Sequence, residues 1–326
     1  MRAVVFDKAG GPEVLRLAEI EPPEPAAGEV RVAVRAAGLN RADLLQRLGL
    51  YPAPAGARSD VLGLEFAGEV ERTGPGSRAW KIGDRVMAIT SGAAQAELCV
   101  CHERMLLPIP AKLSFEEAAA VPEAFITAHD ALFRLGGLGV GEAVLIHAAG
   151  SGVGTAAIQL ARAASCLTIG TSRTPAKIER ARPLGLDHGL VVAGGQFSKR
   201  VLELTAGHGV AVAADFVGAA YLEENLDALA QGGRLVVIGL LGGARGEVDL
   251  GRLLSRRLQI AGTTLRGRPL EEKIAATQAF AREGLPLLER GRVRPVVDRV
   301  FPLAQVRAAH ELLGKNEVFG KLVLRF

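Results

Sequence analysis

Residues 144–154 read VLIHAAGSGVG and give the clearest indication of the fold. The apolar run from Ala143 to His147 predicts a buried strand, small residues follow as a tight turn, and the segment from Thr155 to Ala164 predicts a helix. In such a strand–turn–helix frame the small residues let a phosphate approach the backbone, and the helix N-terminus offers free N–H groups to it.

This turn matches the Gly-x-Gly-x-x-Gly pattern of dinucleotide sites only in part. Ala149, Ser151 and Gly154 stand at the three glycine positions, and Gly152 is an additional glycine. Alone, the loop is weak evidence, and a purely structural glycine turn is the alternative. Within alternating strands and helices it predicts a pyrophosphate site, made of Gly150, Ser151, Gly152, Val153 and Gly154.

The segment after the next strand indicates which dinucleotide binds. NAD enzymes usually place a carboxylate about 20 residues beyond the first glycine, where it binds the ribose hydroxyls. Here the sequence reads Gly-Thr-Ser-Arg over residues 170–173, and Lys177 follows one helical turn later. A hydroxyl and two cations suit a 2′-phosphate, so Ser172, Arg173 and Lys177 predict NADPH. Exposed charge at a helix start is the alternative interpretation.

Strands and helices alternate from residue 122 to residue 266, which predicts a doubly wound parallel sheet of the α/β class. The first 110 residues read instead as strands and dense turns, with one early helix from Leu39 to Leu48. Two helical stretches and a final strand from Lys321 to Phe326 are expected after residue 266. We therefore predict domain boundaries near residues 122 and 266, with a nucleotide-binding domain from residues 123–266 between them.

Composition excludes several classes of protein. The net charge is +4, and its longest basic cluster, Arg266 to Arg268, is too short for a nucleic-acid surface. Three cysteines are too few for a disulfide framework, and no apolar run is long enough to span a membrane. Since the N-terminus reads as a strand rather than a signal peptide, we expect a cytoplasmic protein.

Several other segments form a recognisable series. They are Asn-Arg-Ala-Asp-Leu-Leu-Gln-Arg at residues 40–47, Tyr-Pro at 51–52, Leu-Gly-Leu-Glu at 62–65, Val-Pro-Glu-Ala at 121–124, Ser-Gly-Val-Gly-Thr-Ala-Ala at 151–157 and Gly-Lys-Leu-Val at 320–323. In this order, along the whole chain, they resemble the medium-chain dehydrogenase/reductase superfamily and, within it, the zeta-crystallin-like quinone oxidoreductases. Within that group they resemble the branch of the animal quinone reductase that is induced by a tumour suppressor.

The resemblance implies that residues 1–122 and 267–326 form one GroES-like, β-rich substrate domain around an inserted Rossmann domain of residues 123–266. It also implies a homodimer in which strands near Val236 to Leu241 pair across a twofold axis. It places Asn40, Asp43 and Tyr51 at the nicotinamide end and Ser172 and Lys177 at the 2′-phosphate. Further cofactor contacts are implied for Thr127, Val217, Gly218, Gly239, Leu240, Leu241, Gly242, Thr264, Leu265, Arg266 and Asn316. Relatives often carry a tyrosine beside the adenosine, where this chain has Val192.

Zinc alcohol dehydrogenases share this scaffold, but their ligands are missing here. Asn40 stands at the cysteine position and Leu64 at the histidine position, and the four-cysteine loop is absent. Cys99, Cys101 and Cys166 form no ligand set and are expected to be small packed residues. The sequence therefore predicts no metal, and His147 reads as a core residue.

Without a Lewis acid the chain is expected to reduce acceptors that are already electrophilic, namely quinones and α,β-unsaturated carbonyls. Tyr51 and Asn40 are candidate donors to the acceptor oxygen, and Asp43 is expected to orient Asn40 or the nicotinamide ribose. A packed ring for Tyr51 and an N-cap for Asn40 are the alternatives. Two other functions stay open: an enoyl-thioester reductase on the same fold, and a non-catalytic, crystallin-like protein that holds NADPH.

Overall fold

The computed structural model describes residues 1–192 and 194–326. The regular elements of its first 126 residues are mainly strands, with two α-helices among them. The strands are β1 (Arg2–Val5), β2 (Arg16–Glu19), β3 (Glu29–Leu39), β4 (Glu65–Thr73), β5 (Arg85–Ile89), β6 (Leu98–His102) and β7 (Leu106–Pro108), and the helices are α1 (Arg41–Arg47) and α2 (Phe115–Ala118). Helical turns at Pro122–Ile126 end this part of the chain.

From residue 127 to residue 264 strands and helices alternate. The helices are α3 (Thr127–His129), α4 (Gly152–Ala163), α5 (Pro175–Ala181), α6 (Ser198–Leu204), α7 (Leu222–Ala228) and α8 (Leu250–Arg256). The strands are β8 (Ala143–Ile146), β9 (Leu167–Ser172), β10 (His188–Val191), β11 (Val210–Asp215), β12 (Leu229–Val237) and β13 (Gln259–Gly262).

The last part of the chain contains α9 (Leu270–Glu283), α10 (Leu285–Glu289), β14 (Val297–Pro302), α11 (Val306–Gly314) and β15 (Lys321–Arg325). The sequence predicted two helical stretches and one strand here, so that prediction was incomplete. In β14 only Phe301 is buried, and Asp298 and Arg299 interrupt the apolar pattern. A strand with one buried residue gives little periodic signal.

The chain forms two compact units. The first contains Met1–Ile126, Leu265–Arg290 and Pro295–Phe326, and the second contains Thr127–Thr264 and Gly291–Arg294. The evolutionary domain boundaries given above stay a prediction, because compactness alone does not say which segment was inserted. No helix in the described part of the chain combines the length and apolarity that crossing a bilayer requires.

In the second unit six parallel strands form one sheet in the order β10-β9-β8-β11-β12-β13. Buried side chains such as Leu145, Ile169 and Leu235 form its core. Parallel strands place all their carboxyl ends at one edge, where such sheets bind nucleotides. The doubly wound sheet predicted from the sequence is thus confirmed.

In the first unit a seven-stranded sheet contains the path β14-β15-β3-β4-β5-β7, and its seventh strand, β6, pairs with β3. The C-terminal strand β15 lies antiparallel to the end of β3, so Leu322 is opposite Leu39. This pairing brings Lys321, from the end of the chain, to the residue at which α1 begins. The two ends of the sequence therefore build one site.

The expected twofold pairing near Val236 to Leu241 needs correction. Strand β12, which contains Val236, already has neighbours on both sides, because Val237 pairs with Asp215 of β11 and with Gly262 of β13. Its backbone groups are therefore used within the sheet. The open edge beside it is β13.

Candidate active site

The glycine loop of the second unit forms the entrance to helix α4. Ser151 is the N-cap residue, and its hydroxyl accepts a hydrogen bond from the Gly154 N–H at 3.0 Å. A Cβ on Gly154 would lie 2.4 Å from the Ala148 carbonyl oxygen, so a side chain there would push the loop apart. The first N–H groups of a helix have no intrahelical acceptor. A pyrophosphate fits this loop because its oxygens would accept from those groups.

The end of β9 lies beside this loop. The Ala149 N–H donates to the Thr171 carbonyl at 2.9 Å. A Cβ on Gly150 would lie 2.8 Å from Cδ of Lys177, which places the Lys177 chain directly against the loop. Ser172 is buried, its hydroxyl accepts from the Thr174 N–H, and Arg173 next to it is exposed. The structure thus brings Ser172, Arg173 and Lys177 to the same edge as the glycines.

The loops after β11 and β12 also meet at this edge. Asp215 accepts from the N–H groups of Val217 at 2.7 Å and Gly218 at 3.0 Å, and the Gly242 N–H donates to the Val217 carbonyl at 2.7 Å. Burial raises the pKa of Asp215 to about 6, against the lowering effect of the two N–H donors. Asp215, which sequence reasoning missed, therefore fixes the turn that holds Val217 and Gly218.

Other predicted cofactor contacts lie after these strands or at the ends of the second unit's main segment. Gly239 donates its N–H to the Asp215 carbonyl at 3.2 Å, whereas Leu240 and Leu241 beyond it are exposed. Thr264 is exposed and closes the second unit's main segment, and Thr127, which opens it, is buried.

Val192, at the position where relatives often carry a tyrosine, is buried. It is 4% exposed within the core of the second unit, and its N–H donates to the Ser172 carbonyl at 2.9 Å. Burial raises the pKa of the Tyr221 hydroxyl, and the positive charge of Arg173 opposes that rise. The Tyr221 ring packs on His147 with centroids 4.9 Å apart.

His147 is a core residue, as predicted. It is fully buried, and its ring nitrogens lie 2.8 Å from the Thr171 hydroxyl and 2.7 Å from the Asn225 side-chain oxygen. Burial lowers its pKa to about 4, so the ring is neutral near pH 7. A neutral ring held between two partners supports the end of β8.

In the first unit a buried ion pair holds Asn40. Lys321 Nζ lies 2.5 Å from Glu65 Oε1 and donates to Asn40 Oδ1 at 2.5 Å, while Asn40 Nδ2 donates to the same Glu65 oxygen at 2.9 Å. Glu65 is fully buried and Lys321 is 5% exposed. A Cβ on Gly38 would lie 2.3 Å from Glu65 Oε1, so glycine is required where β3 passes this carboxylate.

Asp43 and Glu123 complete this cluster. Asp43 is fully buried and accepts from the N–H groups of Asn40 at 2.8 Å and Gly63 at 3.2 Å. Burial raises the pKa of Asp43 to about 6. Glu123 donates its N–H to Glu65 Oε2 at 2.8 Å, and burial together with the Glu65 carboxylate raises its side-chain pKa to about 8. Asp43 thus positions Asn40 through its backbone, at the start of α1.

Tyr51 lies in the same unit beneath the Arg266 side chain. The guanidinium carbon is 5.2 Å from the ring centroid, and Arg266 also donates to Gln46 Oε1 at 2.5 Å and to the Ser91 carbonyl at 2.9 Å. Arg266 is 5% exposed, and the adjacent Leu265 is buried too. Asn316 accepts a hydrogen bond from Arg41, the first residue of α1. Each unit therefore contains some of the predicted site residues.

Glu65, Lys321 and Glu123 are functional candidates that were not singled out as site residues. A signal was present, because Lys321 is a lysine within the apolar terminal strand and Glu65 follows the apolar run VLGL. Charged residues are almost never fully buried unless they are paired. Their pairing could not be deduced, since they lie 256 positions apart and meet only when β15 joins β3.

Within the described residues no three His, Cys, Asp or Glu side chains are grouped as a metal site. The three cysteines are buried and free, as expected of small packed residues. Leu64, at the position where zinc enzymes carry histidine, is 1% exposed in the apolar core.

Comparison with known proteins agrees with this architecture. Residues 26–131 match the family described as "Alcohol dehydrogenase GroES-like domain" and residues 152–282 the one described as "Zinc-binding dehydrogenase". A quinone oxidoreductase of Pseudomonas aeruginosa is 39% identical over 99% of both chains. The structure of the Escherichia coli quinone oxidoreductase complexed with NADPH aligns with TM-score 0.89 and 31% identity over 100% of both chains. The CurK enoyl reductase aligns with TM-score 0.88 and 27% identity over 99% of this chain and 98% of that one.

A GroES-like fold, a Rossmann-type parallel sheet and whole-length identity to quinone oxidoreductases now stand together. The chain belongs to the quinone oxidoreductase family of the medium-chain dehydrogenase/reductase superfamily.

Proposed function

We propose that this protein is an NADPH-dependent, zinc-independent reductase that transfers a hydride to quinones or similar electrophilic carbonyl compounds. The observation that carries the proposal is the buried group of Glu65, Lys321 and Asn40. An ammonium ion and an amide occupy the region where related dehydrogenases hold zinc, and Lys321 would repel a metal cation there. An acceptor at this site must therefore be electrophilic by itself.

The second unit would hold the cofactor. The N-terminus of α4 would bind the pyrophosphate, and Ser172, Arg173 and Lys177 would bind the 2′-phosphate through one hydroxyl and two positive charges. Thr127, Val217, Gly218, Gly239, Leu240, Leu241, Gly242 and Thr264 are proposed as further contacts of this unit, and Leu265, Arg266 and Asn316 as contacts of the other. When bound, NADPH supplies the hydride.

The first unit would position the acceptor. Glu65 and Lys321 hold the Asn40 amide in one orientation. Little free energy is therefore needed to keep the amide in that orientation during the reaction. The Tyr51 ring is fixed by Arg266, and its hydroxyl is our candidate donor to the oxygen that gains charge. Asp43 acts as a positioning residue, because its carboxylate accepts from the backbone N–H of Asn40 and does not bond the Asn40 side chain.

Removing positive charge beside the loop tests the cofactor assignment. We expect Lys177→Met and Arg173→Met to raise the KM for NADPH by about tenfold each, while the KM for NADH stays within about twofold, because only NADPH carries the 2′-phosphate. Lys199→Met, an exposed change on α6 of the same unit, serves as the control. Equal losses with both cofactors would remove these residues from the phosphate site.

Removing the hydroxyl of Tyr51 tests its proposed role as a hydrogen-bond donor to the acceptor. Tyr51→Phe should lower kcat by about tenfold to a hundredfold with a quinone and leave the Kd for NADPH unchanged, since the ring and its contact with Arg266 are kept. Unchanged turnover would leave Tyr51 a packed ring.

An enoyl-thioester reductase is the second candidate, favoured by the alignment with an enoyl reductase structure. Turnover of a crotonyl thioester would support it. A non-catalytic NADPH-holding protein is the third, and would show tight NADPH binding without reduction of any acceptor.

We further propose a cytoplasmic homodimer. The edge strand β13 and helix α8 of the second unit expose apolar side chains, among them Ile260 at 41%, Leu250 at 72% and Leu254 at 81%. An open sheet edge flanked by apolar residues favours pairing with a second copy.

A further inference from the structure

A cavity of about 790 Å³ lies within the first unit, next to the Arg266 side chain. Its wall includes Pro54, Ser91, Cys99, Met105, Arg266 and Lys273. Most of these are apolar or uncharged, which suits an aromatic ring system. Lys273 is the exception that raises a question of charge.

Lys273 is a half-buried ammonium without a carboxylate partner among the described residues. It lies on α9, and its Nζ donates to the Ser91 hydroxyl at 2.6 Å. Burial lowers its pKa, and no neighbouring charge contributes to that shift. An ammonium has three donor hydrogens, and a neutral hydroxyl uses one of them. A partly buried cation gains most from an anion that enters the same cavity.

Two other cations of this wall, Arg266 and Arg58, have partners within the protein. Arg266 donates to Gln46, to the Tyr51 carbonyl and to the Ser91 carbonyl. Arg58 pairs with Asp60 at 2.6 Å. Lys273, by contrast, has no carboxylate partner among the described residues, and two of its three donor hydrogens are left for a ligand.

Lys273 is connected to Tyr51 of the proposed reaction site through two residues, Ser91 and Arg266. Ser91 accepts from Lys273 with its hydroxyl and from Arg266 with its carbonyl, and Arg266 lies over the Tyr51 ring. Ser91, Arg266 and Lys273 line the cavity, and Arg266 also contacts the Tyr51 ring. An acceptor that reaches Tyr51 past the Arg266 side chain could extend through the cavity toward the ammonium.

We propose that Lys273 selects acceptors that carry an anionic substituent, a carboxylate or a sulfonate, on an aromatic quinone or enone. The inference rests on the proposed function, because it names the substrate class of that same site. The anionic group pairs with the Lys273 ammonium while the ring occupies the cavity, which aligns the electrophilic end with Tyr51.

The test compares two quinones that differ only in charge: menadione carrying a propanoate side chain on its quinone ring, and the methyl ester of the same compound. We expect wild-type kcat/KM to be higher for the acid than for the ester. Lys273→Met should lower kcat/KM for the acid by about tenfold and for the ester by less than about twofold. Lys273→Arg should keep most of the preference, and exposed Lys112→Met is the control.

Equal kcat/KM for acid and ester in the wild type, or equal losses for both in Lys273→Met, would overturn the inference. If the wild type reduces neither compound, the proposed function fails, and calorimetric titration of the acid and the ester then tests the anion site alone. A Kd for the acid that rises about tenfold in Lys273→Met, with no change for the ester, upholds the site. An unchanged Kd for the acid rejects it.

Discussion

At Asn40 the orientation of the amide follows from its two partners. The Lys321 ammonium can only donate and the Glu65 carboxylate can only accept, so Oδ1 faces the lysine and Nδ2 faces the glutamate. Two charged hydrogen bonds in a buried place resist rotation of the amide. The same residue is the N-cap of α1, so the capping position and the proposed donor role fall on one residue.

Removing the cation of this group should cost stability. Lys321→Met leaves the Glu65 carboxylate buried without its ion-pair partner, and we expect the free energy of unfolding in urea to fall by about 3–5 kcal/mol. Glu65→Gln added to that variant should recover part of the loss. Arg325→Met on the same strand removes an exposed pair at 4.0 Å and should cost less than about 1 kcal/mol. Similar losses for Lys321 and Arg325 would contradict the buried pair.

Glu123 should make stability depend on pH. Its pKa is about 8 in the folded chain against 4.5 for a free side chain, so the folded state keeps this proton longer than the unfolded state. Its contribution to stability is therefore complete below pH 4.5 and is lost as the pH rises toward 8. The slope for one proton is at most about 1.4 kcal/mol per pH unit. Glu123→Gln should flatten urea-derived stability between these limits, and an unchanged slope would contradict the shift.

At the scale of elements, the glycine loop shows how far the sequence predicts the site. The strand, turn and helix around Gly150 were predictable from local pattern, because each depends on neighbours in the chain. The helix begins at Gly152, earlier than predicted, because Ser151 caps it. The sequence did not predict that Asp215 supports the loop after β11. A carboxylate at the end of a strand does not show which N–H groups its oxygens accept from.

Crowding this loop should weaken cofactor binding. Gly154→Ala places a Cβ 2.4 Å from the Ala148 carbonyl, which forces the loop away from the phosphates. We expect the Kd for NADPH, measured by fluorescence titration, to rise by about tenfold, which is about 1.4 kcal/mol. Gly262→Ala on β13 is the control, since its Cβ would have no heavy atom within 4 Å. An unchanged Kd for Gly154→Ala would place the pyrophosphate elsewhere.

The free edge of β13 should determine assembly. Ile260→Lys puts a charge on the exposed strand, and charged residues block pairing of sheet edges. We expect light scattering to give twice the 34.1 kDa chain mass for the wild type and the chain mass for this variant. Val300→Lys, on edge strand β14 of the other sheet, should stay dimeric. A monomeric wild type, or dissociation of both variants, would contradict the proposed edge.

For the whole molecule, contacts within each unit explain what the sequence could and could not predict. The fold class followed from alternating strands and helices and from motifs along the chain. The Glu65–Lys321 pair joins a strand near the start to the last strand, and Lys273 reaches Ser91 from α9, so both needed the tertiary structure. Local pattern says which residues are buried, but it does not say which buried charges meet.

The reduction of quinones with NADPH can be measured by the loss of NADPH absorbance with the purified protein and an ortho-quinone, with NADH and a crotonyl thioester run in parallel. We expect fast loss with NADPH and quinone, and at least about tenfold lower kcat/KM with NADH or with the thioester. Faster turnover of the thioester, or NADPH binding without reduction of any acceptor, would contradict this expectation.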